Sequence, residues 1–305
     1  LLTNFPVSSK AAPLEAILGE SGLIDGAIAY PVGIRSPSAL WRLCGEIRAL
    51  KATKLIYLMP ARGRLKAVRD ALFFRLCGIR QLVGLPITPD LQTNRIDPVT
   101  GVHEPECERL ARTLSALGPI DLTSRAAWDL LLSEQELLAG ARMVAAFSGE
   151  AFMAINMGGK AAEKDWGAER WEMLLGRLSQ SYGNYGLLVV GAAEDSERAQ
   201  LVTRNWPNPV IDACGRLSPR ETAAAVRRAA LFIGHDSGPL HLAAANGVAC
   251  VGLFGGLNQP NVWHPYGDSH RIIHRMTGMA AISIEDVVDA VLALEPRHGG
   301  EDHGL

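Results

Sequence analysis

The run LFIGHDSGPLHLAAANGVACVGLF, Leu231 to Phe254, decides how the chain is read, because it sets a buried strand, a polar turn, a short helix and a second strand in immediate succession. Leu231, Phe232 and Ile233 form a continuous apolar run, and Gly234 lets the backbone leave the sheet. Asp236 and Ser237 suit the cap of the next helix, Gly238 permits close approach, and Pro239 fits a first helical position, with His241 inside the first turn. Open N–H groups at a helix start, with the positive end of the helix dipole behind them, favour phosphate or another anion.

The same rhythm extends outward in both directions. The second half alternates strands near 152–156, 187–190, 210–211, 231–233 and 249–254 with helices at 168–181, 195–205, 219–230 and 239–246. The first half alternates strands at 26–30, 54–58 and 81–83 with helices at 13–20, 37–50 and 65–77; a long polar loop at 84–101 precedes helices at 104–117 and 134–147. Such alternation predicts an α/β chain of two doubly wound parallel sheets, in which ligands sit beyond the carboxyl ends of the strands. The turn Ser148-Gly149-Glu150 is the expected junction, giving domains of 1–148 and 149–296 and a disordered polar tail at 297–305.

Bulk properties narrow the function classes. The 305 residues suffice for two domains. With 30 basic and 32 acidic residues the net charge is -2, which gives no basic excess for nucleic acid. No apolar stretch reaches the roughly 20 residues of a membrane span. Five widely spaced cysteines without a C-x-x-C pair predict a reduced, intracellular protein with no structural zinc. His264, His270 and His274 lack metal-ligand spacing and are expected at the surface, so no metal site is predicted. The opening Leu1 to Val7 resembles a second strand rather than a first, which predicts that an upstream part is missing.

Strand ends carry the candidate chemistry. After the strand at 152–156, Gly158, Gly159, Lys160 and Lys164 combine close backbone approach with positive charge ahead of a helix, which suits phosphate, while a solvated loop is the plain alternative. The spacing is not that of a P-loop. After the strand at 187–190, Glu194 and Asp195 offer carboxylates to ribose hydroxyls or, equally, to a helix cap. Leu217 is open to packing a base or to joining the core. The loop Gly255 to Pro265 could cover a sugar or its acceptor, or simply connect. The Asp-Ser-Gly-Pro turn is not a protease nucleophile, because a chymotrypsin-like chain would be all-β, and no G-x-S-x-G elbow is present.

Taken together, Lys164-Asp165-Trp166 resembles the K-x-W element, and Asp236-Ser237-Gly238-Pro239-Leu240-His241 the D-[TS]-G-x-x-H element, of glycosyltransferase family 9, the ADP-heptose:lipopolysaccharide heptosyltransferases. The resemblance implies a GT-B fold of two facing Rossmann-like domains with the donor site in the cleft. It implies an inverting, metal-independent transfer from a nucleotide sugar, with ADP-heptose as donor and a lipid-linked glycan of the lipopolysaccharide core, or a related glycan, as acceptor. Lys164 would receive the leaving diphosphate, with Ser237 and Gly238 holding it at the helix start. Asp236 and His241 would lie beside sugar and phosphate, Asp195 (or Glu194) at the ribose and Leu217 at the base, with no cofactor. The general base would be an Asp in a Gly-Asp element after the first N-terminal strand, and this sequence has none, so roughly one strand-loop-helix unit is expected to be missing. A cytoplasmic enzyme in peripheral contact with the inner membrane is implied. A nucleotide-sugar-binding protein without transferase activity and a GT-B epimerase remain the alternatives.

Overall fold

A computed structural model of the chain describes residues 1–5, 12–147, 149–159 and 161–294. Two compact α/β units result. One takes 1–5, Gly26–Ser124 and Pro260–Trp263, and the other takes 12–25, Arg125–Gln259 and 264–294. The division therefore falls at Ser124 and Arg125, not at the turn 148–150. The reason is packing: the helix Glu134–Met143, expected in the first domain, belongs to the second unit. There Gly140 meets the backbone of Ala224 and Ala225 so closely that a Cβ would come within 2.5 Å. Across the same crossing Arg220 forks onto Glu136 at 2.5 and 3.0 Å, and spends its remaining donors on the carbonyls of Ile17, Leu130 and Leu131 at 2.8–2.9 Å. Both charged groups are buried, so each needs the other. This one guanidinium also ties 12–25 to the second unit.

In the first unit β1 (Leu2–Asn4) pairs in parallel with β2 (Ile28–Tyr30), and β3 (Lys54–Ile56) with β4 (Gln81–Val83). The helices Pro37–Ala49 and Arg64–Leu76 supply Leu43, Cys44, Ile47 and Phe74 to its core. The polar stretch 84–101 is not wholly irregular: Pro89–Gln92 is helical and Ile96 bridges His103. Buried Arg109 holds that stretch by bonding Glu106 at 2.5 Å and the Leu91 carbonyl at 2.9 Å.

The second unit is one parallel sheet of six strands: β5 (Phe152–Asn156), β6 (Gly186–Val189), β7 (Val210–Asp212), β8 (Leu231–His235), β9 (Cys250–Phe254) and β10 (Arg271–His274). Their spatial order is β10-β9-β8-β5-β6-β7. β5, β8 and β9 are buried throughout, which explains why they are apolar up to the polar residues Asn156 and His235 that close β5 and β8. The helices start where their residues dictate: Ser218 with Glu221, and Ser283 with Asp286, form capping boxes, the first with Pro219 at N1. The order reverses between β5 and β8, which is the switch point where a doubly wound sheet opens a crevice at its carboxyl edge. β10 and the helix Ile284–Leu292 are elements that the sequence reading did not assign. Among the described residues no helix is long and apolar enough to cross a membrane.

Candidate active site

The two strands flanking the switch point lead into the two motifs. β5 runs into Gly158 and Gly159, and β8 into Asp236, Ser237 and the helix Gly238–Ala245. Asn156, the polar last residue of β5, is buried and joins three strand ends. Its Nδ2 donates to the Val190 carbonyl at 2.9 Å, and its Oδ1 accepts from Ser237 Oγ at 2.7 Å. Sequence reading passed over this residue. An amide closing an otherwise apolar strand is the signal that marks it.

Lys164 and Asp236, 72 positions apart, meet at this edge. Lys164 Nζ donates to Asp236 Oδ2 at 2.6 Å and to the Asp236 carbonyl at 3.1 Å. Neither side chain is sealed off, at 25% and 12% exposed. Asn258 Nδ2 donates to the same Oδ2 at 2.9 Å, and His241 Nε2 lies 4.0 Å from Oδ1. Burial pushes the His241 imidazole below its usual range, Lys164 adds to this, and Asp236 opposes it.

The expected side-chain cap is not formed. Asp236 turns to Lys164 and Asn258, and Ser237, the N-cap residue, turns to Asn156 and the His235 carbonyl. Pro239 occupies the first turn as expected. A Cβ at Gly238 would meet nothing within 4 Å, so packing does not demand glycine there. The first turn thus faces outward with no side chain of its N-cap bonded across it.

Behind this edge Trp166 and Trp171 are fully buried, and Trp166 anchors its segment by donating to the Ile282 carbonyl at 3.0 Å. Trp171 donates to Nε2 of buried His235 at 3.3 Å, and burial lowers the His235 pKa to about 4. Asp165 accepts from Gly167 N–H and from Arg198; burial raises its pKa, but these donors outweigh burial and hold it below the ordinary range. A cleft of about 250 Å³ lies beside it, lined by Gly158, Gly159, Ala161, Ala162, Asp165, Asp195 and Arg198.

The acid pair after β6 divides. Asp195 is buried, accepts the Ala192 N–H at 2.9 Å and fills the space that a side chain at Gly158 would need. Glu194 is exposed. Leu217 is half-buried against the core. Lys160 and the tail 297–305 lie outside the described residues. The three histidines expected at the surface are not there: His270 is buried, and His264 Nε2 and His274 Nδ1 lie 2.8 Å apart over Phe254. β10, which sets His274 beside Phe254, was invisible to a residue-by-residue reading. Among the described residues no cluster of His, Cys, Asp or Glu could hold a metal ion.

A parallel sheet with this switch point, in a chain with a second parallel α/β unit, is the architecture of a GT-B glycosyltransferase, and solved structures agree. A glycosyltransferase family 9 protein from Veillonella parvula DSM 2008 matches with TM-score 0.65 at 22% identity, covering 92% of this chain and 84% of that one. Heptosyltransferase WaaC of E. coli, solved with ADP, matches with TM-score 0.57 at 15% identity over 95% and 98%. A UDP-GlcNAc 2-epimerase from Methanocaldococcus jannaschii matches with TM-score 0.57 at 12% identity over 98% and 93%, so the fold by itself does not choose the reaction. A search of curated protein sequences finds no match. The model of glycosyltransferase family 9 (heptosyltransferase) matches residues 99–290, and the chain belongs to that family.

Proposed function

We propose that this glycosyltransferase moves heptose from ADP-heptose, with inversion, to a lipopolysaccharide-core or related glycan acceptor. The observation that carries the reading is the Lys164–Asp236 pair at the start of the helix Gly238–Ala245, opposite the glycines that follow β5. Departure of a nucleoside diphosphate from a sugar leaves positive charge on the sugar and negative charge on the phosphates. The Lys164 ammonium and the N–H groups of Ser237 and Gly238 meet the second, and the Asp236 carboxylate meets the first. Lys164 is held by Asp236 in the free protein, so an arriving diphosphate competes for an ammonium already in position. Gly158, Gly159 and Lys160 complete the diphosphate side, His241 lies beside sugar and phosphate, Leu217 packs the base, and exposed Glu194 reaches the ribose, with Asp195 shaping the turn beneath it. The ADP bound to WaaC supports this choice of donor. No metal is required, since Lys164 and the helix start already oppose the leaving charge. The acceptor's lipid brings the enzyme to the inner face of the membrane.

The test is transfer from ADP-heptose in the natural full-length protein, with and without EDTA. Lys164→Ala and Asp236→Ala should each lower turnover by about 100-fold or more, as loss of one transition-state stabiliser does. Near-normal turnover in either variant refutes the assignment. Consumption of donor without acceptor would identify an epimerase, and ADP binding without turnover a binding protein.

A further inference from the structure

The loop after β9 begins Gly255-Gly256-Leu257-Asn258, and its two glycines lie tight against the turn that follows β10. A Cβ on Gly255 would come within 3.3 Å of Met279, and one on Gly256 would run into the Met276 carbonyl. Held this low, the loop brings Asn258 to the Asp236 carboxylate at 2.9 Å. Two donors of different character therefore share one oxygen: the charged Lys164 Nζ and the neutral Asn258 amide.

The loop is closed at its far end by the histidine pair. His264 Nε2 and His274 Nδ1 lie 2.8 Å apart, and both rings pack on Phe254, the last residue of β9, with centroids at 4.7 and 5.8 Å. His274 is fixed in register beside Phe254 by the β9–β10 pairing. The pair thus ties residue 264 back to the strand from which the loop departs. Burial keeps both imidazoles below their usual range, and one shared proton is what the contact between two ring nitrogens requires.

We propose that Asn258 is a positioning residue of the donor site, and that the His264–His274 pair holds it there; the inference rests on the function proposed above. When a diphosphate draws the Lys164 ammonium away, Asp236 Oδ2 loses its charged donor. An uncharged amide is drawn to phosphate far less strongly than an ammonium is, so Asn258 stays on the carboxylate and keeps it turned toward the sugar. Asn258 acts on Asp236 and not on the donor, which predicts a loss in transfer rate with donor affinity preserved.

The experiment uses the natural full-length protein, ADP calorimetry, and initial rates with ADP-heptose for Asn258→Ala, Asn258→Asp and His274→Leu. ADP affinity should stay within about threefold in the Asn258 variants, while kcat falls about 10- to 100-fold, the effect of one hydrogen bond to a charged group. Asn258→Asp should lose at least as much, since it sets a second carboxylate against Asp236. His274→Leu should show the same split between kcat and ADP affinity. Wild-type kcat in Asn258→Ala overturns the inference, and so does a parallel fall of kcat, ADP affinity and Tm, which marks a merely structural role. A wild-type protein that transfers no sugar overturns the underlying function and this inference with it; an active wild type beside an unaffected Asn258→Ala overturns this inference alone.

Discussion

Gly158→Ala probes how the turns that follow β5 and β6 are held against each other. The new Cβ would lie 2.7 Å from the Asp195 carboxyl carbon and 2.9 Å from Oδ1, inside any tolerable contact. Asp195 has little room to retreat. It is 8% exposed, its Oδ2 accepts the Ala192 N–H at 2.9 Å, and Gly191 lies against it as well. Either the methyl pushes the carboxylate off that N–H, at about 1.5–3 kcal/mol for a hydrogen bond to a charged group, or the end of β5 moves, at about 1–3 kcal/mol for overpacking. These are alternatives and not additive, so the expected loss is about 1–3 kcal/mol, or roughly 2–12 °C in Tm for a unit of this size. Urea unfolding measures it, and a double-mutant cycle with Asp195→Ala assigns it. In the Asp195→Ala background Gly158→Ala should cost less than about 0.5 kcal/mol. An equal cost in both backgrounds, or no cost in the wild type, refutes the account of Asp195 as the group that shapes this turn.

Two other outcomes follow from buried charge. Arg220→Met strands the Glu136 carboxylate and three carbonyls in the second unit and should destabilise it by about 3–5 kcal/mol, read as a shifted urea midpoint; a loss under about 1 kcal/mol contradicts the anchoring role. His235 is lowered by burial from 6.5 to about 4, so the folded chain keeps it neutral while the unfolded chain takes a proton below 6.5. Its contribution is present above pH 6.5 and is lost as pH falls toward 4, by up to about 1.4 kcal/mol per pH unit. His235→Gln should flatten that part of the stability profile, and an unchanged slope sinks the argument.

Much of the fold was legible because local pattern and burial agree where strands are fully enclosed. β5 is found at the residues its apolar run marks, β6, β8 and β9 within two residues of theirs, and the helices Pro37–Ala49 and Ala168–Tyr182 nearly so. β10 was not legible: a four-residue edge strand with mixed exposure has no periodicity to display. The helix Ile284–Leu292 was legible and passed over, since Ser283 and Asp286 spell its capping box.

The sequence by itself determined the alternating α/β order, the two motif-bearing turns and the family resemblance, because glycine, proline, lysine and acid at fixed spacing around apolar runs are local facts. Only the tertiary structure decided which groups meet. It joined Lys164 to Asp236 and Asn258, separated buried Asp195 from exposed Glu194, placed Asn156 under three strand ends, and moved the helix Glu134–Met143 to the second unit. Those outcomes depend on strand order and on contacts between residues far apart in the chain, and neither is encoded in spacing along a single segment.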